Sequence, residues 1–158
     1  MIQHPIPPVW NQQSELLILG SFPSVKSREV GFFYGHPQNR FWKVLAGVYS
    51  QPLPCSIEEK LDFLLRNHIA LWDVIASCTI TGSSDSSIRD VVPTDLQGIL
   101  SGAPIRRIYT NGKKADALYR KYQLQQTQIS AICLPSTSPA NARWNLDDLI
   151  AEWRCILN

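Results

Sequence analysis

Charge is sparse in this sequence of 158 residues: only 18% are Asp, Glu, Lys or Arg, and 15 basic against 13 acidic side chains leave a net charge of +2. That balance excludes a strongly basic chain that grips nucleic acid by charge alone, so any nucleic-acid contact must be a local patch. Long apolar runs are missing as well. None approaches the roughly 18 residues that span a bilayer, and the start Met1-Ile-Gln-His-Pro-Ile-Pro-Pro8 lacks the basic-then-apolar pattern of a secretory signal. A soluble, cytoplasmic protein is the expectation. The four cysteines, Cys55, Cys78, Cys133 and Cys155, contain no C-x-x-C pair, which argues against a metal knuckle or an iron–sulfur site and for buried thiols in a reducing compartment. Neither G-x-G-x-x-G nor G-x-x-x-x-G-K-[ST] occurs, and there is no G-x-S-x-G elbow. Cofactors held by the first two loops, and hydrolases built on the third, lose their support.

An apolar share of 44% can build a core, and the length fits one domain over residues 1–158. Four short apolar runs, Leu16–Leu19, Ile69–Ala76, Ile105–Tyr109 and Ile129–Leu134, end in Gly, Ser, Thr, Asn or Pro and are expected to be strands. Helical periods lie around and between them. Ile57, Leu61, Leu64 and Leu65 share one face, opened by a Ser56/Glu59 capping box. Ala115, Leu118, Tyr119 and Tyr122 form a second face; Leu146, Leu149, Ile150, Trp153, Ile156 and Leu157 form a third, capped by Asn145. A shorter helix is expected to open with a Thr94/Gln97 capping box, and another to start near Asn39 and bury Phe41 and Trp42. Strands alternating with helices imply an α/β fold, a three-layer α/β/α sandwich around a parallel sheet. Ligands of such sheets bind beyond the carboxyl ends of the strands, so function is sought in the segments that follow each run.

Those segments are distinctive. Gly20-Ser-Phe-Pro-Ser24 offers backbone amides and small hydroxyls suited to an anion or a base edge, with a plain tight turn as the alternative. Gly31 to Trp42 packs five aromatics among amides, glycines and a histidine, a mixture suited to stacking on a flat ring and bonding its edge. Within it Asn39 serves as helix cap, as reactive carboxamide, or as both. Leu134 to Trp144 is dense in hydroxyls and stiffened by two prolines, and a stiff, small and polar loop is what insertion into a duplex groove requires. Of the acidic residues near this edge, Asp85 in the Ser-rich loop is preferred for ligand contact over Asp73, which lies inside a strand pattern. Ser21 or Ser24 near His36 could be imagined as a hydrolase pair.

Taken together, Gly20-Ser-Phe-Pro-Ser24, Lys26-Ser-Arg-Glu29, Phe33-Tyr-Gly-His-Pro-Gln-Asn-Arg-Phe-Trp42, Leu71-Trp-Asp-Val-Ile75, Ser83-Ser-Asp-Ser-Ser-Ile88, Asn111-Gly-Lys-Lys-Ala115 and Leu134-Pro-Ser-Thr-Ser-Pro-Ala-Asn141 resemble the hypoxanthine-DNA glycosylase branch of the uracil-DNA glycosylase superfamily. The resemblance spans about residues 16 to 145. It implies a central four-stranded parallel sheet and a repair enzyme that everts a deaminated base, hypoxanthine above all, and hydrolyses its N-glycosidic bond. The superfamily's first motif usually carries Asp or Asn where this chain has Phe22, and its second often begins with His or Asn where this chain has Leu134. In the hypoxanthine-directed branch the role of orienting the attacking water passes to the carboxamide that is here Asn39. The base is then expected to be held by Gly20, Ser21, Phe22, Phe33, Asp85 and Asn111. Ser24, Lys26, Arg40, Lys113, Ser136, Ser138, Asn141 and Arg143 are expected to meet double- or single-stranded DNA, with a wedge near Ala140 or Asn141. No cofactor, metal, membrane or second subunit is called for. A uracil or mismatched-thymine glycosylase and a silent nucleic-acid or nucleotide-binding module stand as alternatives.

Overall fold

Leu16-Leu-Ile-Leu-Gly20 is buried along its whole length, a run apolar on both faces that is at home only in the middle of a parallel sheet. The computed structural model, which describes residues 1–158, places it there. In chain order the elements are β1 (Ile2–Gln3), β2 (Leu16–Gly20), α1 (Val25–Val30), α2 (Phe41–Tyr49), α3 (Ile57–Arg66), β3 (Ile69–Asp73), β4 (Ile75–Thr79), β5 (Arg89–Pro93), α4 (Gln97–Gly102), β6 (Arg107–Asn111), α5 (Lys113–Tyr122), α6 (Leu124–Thr127), β7 (Ala131–Leu134) and α7 (Leu146–Trp153). The main sheet runs β3-β2-β6-β7, all parallel. No helix is long and apolar enough to cross a membrane.

The two-residue period of the strands sorts the core into two clusters. Leu16, Ile18, Ile69, Leu71 and Tyr109 face α2, α3 and α7. Leu17, Leu19, Ala70 and Ile108 face the other way, onto Ile99 of α4, Leu118 and Tyr119 of α5, and Ile75 and Cys78 of β4. The capping box at Ser56 and Glu59 forms with both bonds, and Asn145 caps α7 through the Asp148 amide at 2.8 Å. Phe41 and Trp42 are core residues, as expected.

Three expectations need correction. The run Ile69–Ala76 is not one strand: it breaks at Val74, whose amide donates to Gly20 O while that of Ile75 donates to Ser21 O. β4 then leaves the parallel sheet for a small antiparallel one, ordered β1-β4-β5, which joins the helices in that layer. Thr94 does not cap α4. It is buried, its hydroxyl directed at the carbonyls of Asp73 and Val74, and Asp95 accepts the Gln97 amide instead. Of the thiols expected to be buried, only Cys78 is; Cys55 and Cys133 are exposed.

Trp153 shows how the helical layer is tied to the functional edge. Fully buried, it meets Phe41 edge-on at 5.9 Å and donates its indole N–H to Pro135 O just beyond β7. Trp153→Ala is expected to cost about 3–5 kcal/mol, as truncation of buried aromatics generally does. Trp153→Phe should cost less, because it keeps ring volume and loses the bond to Pro135. Urea unfolding of the two variants checks the order.

Candidate active site

The carboxyl ends of the four parallel strands, with the loops that leave them, enclose a cavity of about 360 Å³. Gly20 ends β2, Asp73 ends β3, Asn111 ends β6, and Ser136 to Ala140 follow β7. Of the residues expected from sequence, Gly20, Ser21, Phe22, Ser24, Phe33, Asn39, Asp85, Asn111, Ser136 and Ser138 all line it.

The first wall is the turn after β2, pinned by its carbonyl bonds to Val74 and Ile75. Ser24 caps α1, accepting the Ser27 amide at 3.1 Å, so its hydroxyl is engaged within the chain. Arg28 donates to the carbonyls of Ser24 and Gly82 and lies 5.6 Å from the centre of the Phe22 ring. Ser83 accepts the Val25 amide, and Ser21 donates to Asp85 at 3.3 Å. The Ser-rich loop is thereby tied to the first turn. Desolvation at the cavity wall raises the Asp85 carboxyl above the usual carboxylate range, against the pull of the Ser21 hydroxyl and Lys114.

The second wall centres on Asn39. Its side-chain oxygen accepts twice, from the Phe41 amide at 2.9 Å and from the Thr137 hydroxyl at 2.9 Å. Reversing the carboxamide would set its –NH₂ against the Phe41 N–H, so its orientation is assigned by its partners. The –NH₂ is the end left to meet a ligand. Thr137, fully buried, accepts from Asn111 Nδ2 at 3.1 Å and returns a bond from its own amide to Asn111 Oδ1 at 3.1 Å. The two carboxamides are thus locked to each other through one threonine.

Gly112, at φ +97°, lets the chain turn into α5 where a Cβ would press on Ser136 at 3.0 Å. In the loop after β7, the Ser136 hydroxyl accepts the Ser138 amide, the Ser138 hydroxyl accepts the Ala140 amide, and Asn141 donates to Ser136 O. Arg40, expected on DNA, is instead turned inward. Its guanidinium donates to the carbonyls of Ser138, Asn141 and Trp144, and its amide donates to Thr137 O. The arginine clamps the loop and leaves Pro139 and Ala140 exposed at its tip. Asn141 is likewise spent inside the loop. Lys26, Lys113 and Arg143 are exposed and lie off the cavity, with Lys26 3.9 Å from Glu29.

Sequence reading missed Tyr34 and Thr137 and passed over His36 and Asp73, all four on the cavity wall. Asp73 carried a signal, a lone acid at the carboxyl end of an apolar run. Thr137 carried none. Phe33, expected to help hold the base, is 2% exposed and part of the core. Tyr34 stacks on Phe41 with ring centres 4.0 Å apart, and its hydroxyl is buried without a partner. Desolvation, with the nearby Asp73 charge, holds that phenol protonated well above the ordinary tyrosine range. The site therefore offers fixed carboxamides, a carboxylate and a protonated phenol in a cavity of ligand size, with apolar walls from Phe22 and Phe33.

Comparison with known proteins places this geometry. The family model described as the uracil DNA glycosylase superfamily matches residues 7–156. A hypoxanthine DNA glycosylase of Methanosarcina acetivorans is 35% identical over 160 aligned positions, covering 99% of this chain and 98% of that one. A hypoxanthine DNA glycosylase of Methanosarcina barkeri is 35% identical over 111 positions, covering 69% and 70%. The solution NMR structure of a Methanosarcina acetivorans protein, described provisionally as a uracil DNA glycosylase, superposes with a TM-score of 0.82 at 34% identity over the whole of both chains. With its four-stranded parallel sheet, its cavity at the strand ends and these relatives, the chain belongs to the uracil DNA glycosylase superfamily.

Proposed function

We propose that the protein is a DNA glycosylase that everts a deaminated base, hypoxanthine by preference, and hydrolyses its N-glycosidic bond to leave an abasic site. Two relatives named for that activity support the preference. The observation that carries the chemistry is the Asn39 carboxamide, anchored at its oxygen by two donors with its –NH₂ free at the cavity wall. The same proposal has the protein act as a monomer, in the cytoplasm, on double- or single-stranded DNA and without cofactor.

Breaking the bond builds positive charge on the sugar and negative charge on the departing base. A water whose oxygen accepts from Asn39 is held with a lone pair directed at C1′. As that oxygen bonds to C1′, the C1′–N bond breaks, its electron pair leaves with the base, and the water's proton passes to the base or to solvent. Backbone amides around Ser21 and Phe22, with Asn111 and Asp85, hold the base, and Phe22 packs against it. Because Thr137 and Phe41 fix Asn39 beforehand, little reorganisation is left for the reaction step.

Eversion costs roughly a few kcal/mol, less at a damaged or mismatched pair. The exposed tip at Pro139 and Ala140 is placed to fill the gap, with phosphates met by Ser136, Ser138 and the exposed cations Lys26, Lys113 and Arg143.

Asn39→Ala is expected to lose on the order of 100-fold to 1000-fold in single-turnover release of hypoxanthine, the scale of a single fixed donor; a wild-type rate would refute the assignment. A duplex panel with inosine, uracil, xanthine or a G·T mismatch ranks the bases, and tight binding without abasic product would identify a silent module. Arg40→Ala should loosen the wedge loop and lower duplex cleavage on the order of tenfold, while cleavage of single strands, which need no wedge, changes far less. Binding to DNA should weaken steeply from low to physiological salt as counterions are released, a slope that fluorescence anisotropy measures directly.

A further inference from the structure

The break between β3 and β4 leaves two peptide groups that are bonded at both ends. In the first, the Asp73 carbonyl accepts the Thr94 hydroxyl at 2.8 Å, while the Val74 N–H donates to Gly20 O at 2.8 Å. In the second, the Val74 carbonyl accepts the Thr94 amide at 2.7 Å, while the Ile75 N–H donates to Ser21 O at 3.1 Å. A trans peptide points its carbonyl and its N–H in opposite directions, and no peptide of this chain is cis. The peptides joining Gly20 to Ser21 and Ser21 to Phe22 therefore turn their carbonyls toward the break and their N–H groups away from it. Neither the Ser21 nor the Phe22 amide finds an acceptor in the chain, and both residues line the cavity. Two parallel relays thus run from Thr94, each through two peptides, to a free N–H at the site.

Behind Thr94 stands Gln123, at the end of α5. Its Nε2 donates to the Thr94 carbonyl and to the Thr94 hydroxyl oxygen, each at 2.9 Å. The hydroxyl's own proton is left for the carbonyls of Asp73 and Val74. Both residues are buried, yet Gln123 Oε1 has no partner. A buried carboxamide that leaves its own oxygen orphaned gains little stability from the bonds its nitrogen makes. What it does supply is a pair of N–H donors that fix the Thr94 side chain in one orientation.

Resting on the glycosylase reading above, we infer that Thr94 and Gln123 are positioning residues, which fix and polarise the peptides that aim the Ser21 and Phe22 amides into the cavity. A bond donated to a carbonyl strengthens what the N–H of the same peptide donates, by about 10–30% per bond, and holds the peptide plane against rotation. Those amides serve the departing base, which gathers negative charge as the C1′–N bond breaks. A fixed and polarised pair of donors therefore counts for more during bond breaking than in the bound complex. Neither Thr94 nor Gln123 lines the cavity, so both act through the backbone and neither touches substrate.

The test is single-turnover release of hypoxanthine at saturating enzyme, where the rate constant does not depend on the share of folded protein. The enzyme concentration at half-saturation is measured beside it. Thr94→Val keeps the shape and the backbone amide and removes the hydroxyl. It should lower the rate constant about tenfold, a fraction of what loss of a whole fixed donor costs, and leave half-saturation within about twofold of wild type. Thr94→Ser, which keeps the hydroxyl, should hold the wild-type rate. Gln123→Met exchanges one orphaned oxygen for another, so it should lower the rate while the urea midpoint stays close to wild type; a residue kept for stability would lower both. In isotope-labelled protein the amide proton resonances of Val74 and Ile75 should move upfield in Thr94→Val and stay in place in Thr94→Ser. A wild-type rate in Thr94→Val, an equal loss in Thr94→Ser, or a loss confined to half-saturation overturns the inference alone, and a wild-type rate in Gln123→Met removes Gln123 from it. A wild type that releases none of the deaminated bases overturns the glycosylase reading, and the inference with it.

Discussion

β2 is hydrogen-bonded on both sides by parallel neighbours and buried over all five residues, and every part of the site takes its place from that strand. Register on one side puts Gly20 level with Asp73; register on the other aligns Leu19 with Thr110, one residue before Asn111. A slip of one residue would send Asp73 to the opposite face and bury an unpaired charge. The apolar faces of the sheet forbid that slip, because it would also exchange the two core clusters. The cavity's polar groups are thus held by hydrophobic burial beneath them rather than by the polar contacts among them.

Above that base the loops are made stiff by hydrogen bonds that end on backbone. Arg40 engages three carbonyls of the loop after β7, a use of its fixed fork of donors that a lysine could not reproduce. Thr137 joins Asn39 to Asn111, and Arg28 joins α1 to the Ser-rich loop. Each bond removes a freedom that the proposed reaction would otherwise have to remove, which suits a carboxamide, a poor acid and a poor base, to the part proposed for Asn39.

Where local chemistry decides structure, the sequence was a reliable guide. The Ser56/Glu59 box and the Asn145 cap satisfy backbone donors within three residues, and nothing distant competes with them. Thr94 failed as a cap for the opposite reason: its hydroxyl is claimed by the carbonyls of Asp73 and Val74, and Gln123 donates to it from the far side at 2.9 Å. Burial overrode a local preference. Arg40 likewise looked like a phosphate ligand because its charge was visible, while the carbonyls awaiting it about a hundred residues later were not. Nor could the sequence show that His4 meets Asp73, since the two lie 69 positions apart.

The sequence alone determined that four short apolar runs supply the strands of a parallel sheet, that helices cover them, and that the polar segments after Gly20, Asn111 and Leu134 gather at one edge, because period and punctuation are properties of neighbouring residues. It also marked Asn39, through the unusual stretch that carries it. Tertiary structure decided which polar groups there are already spent and which remain free: Arg40 and Asn141 are consumed by the loop, while Asp73 Oδ1, the Tyr34 hydroxyl and the Asn39 –NH₂ are not. That division depends on hydrogen bonds between residues far apart in the chain, and such bonds exist only once burial has brought their partners within reach.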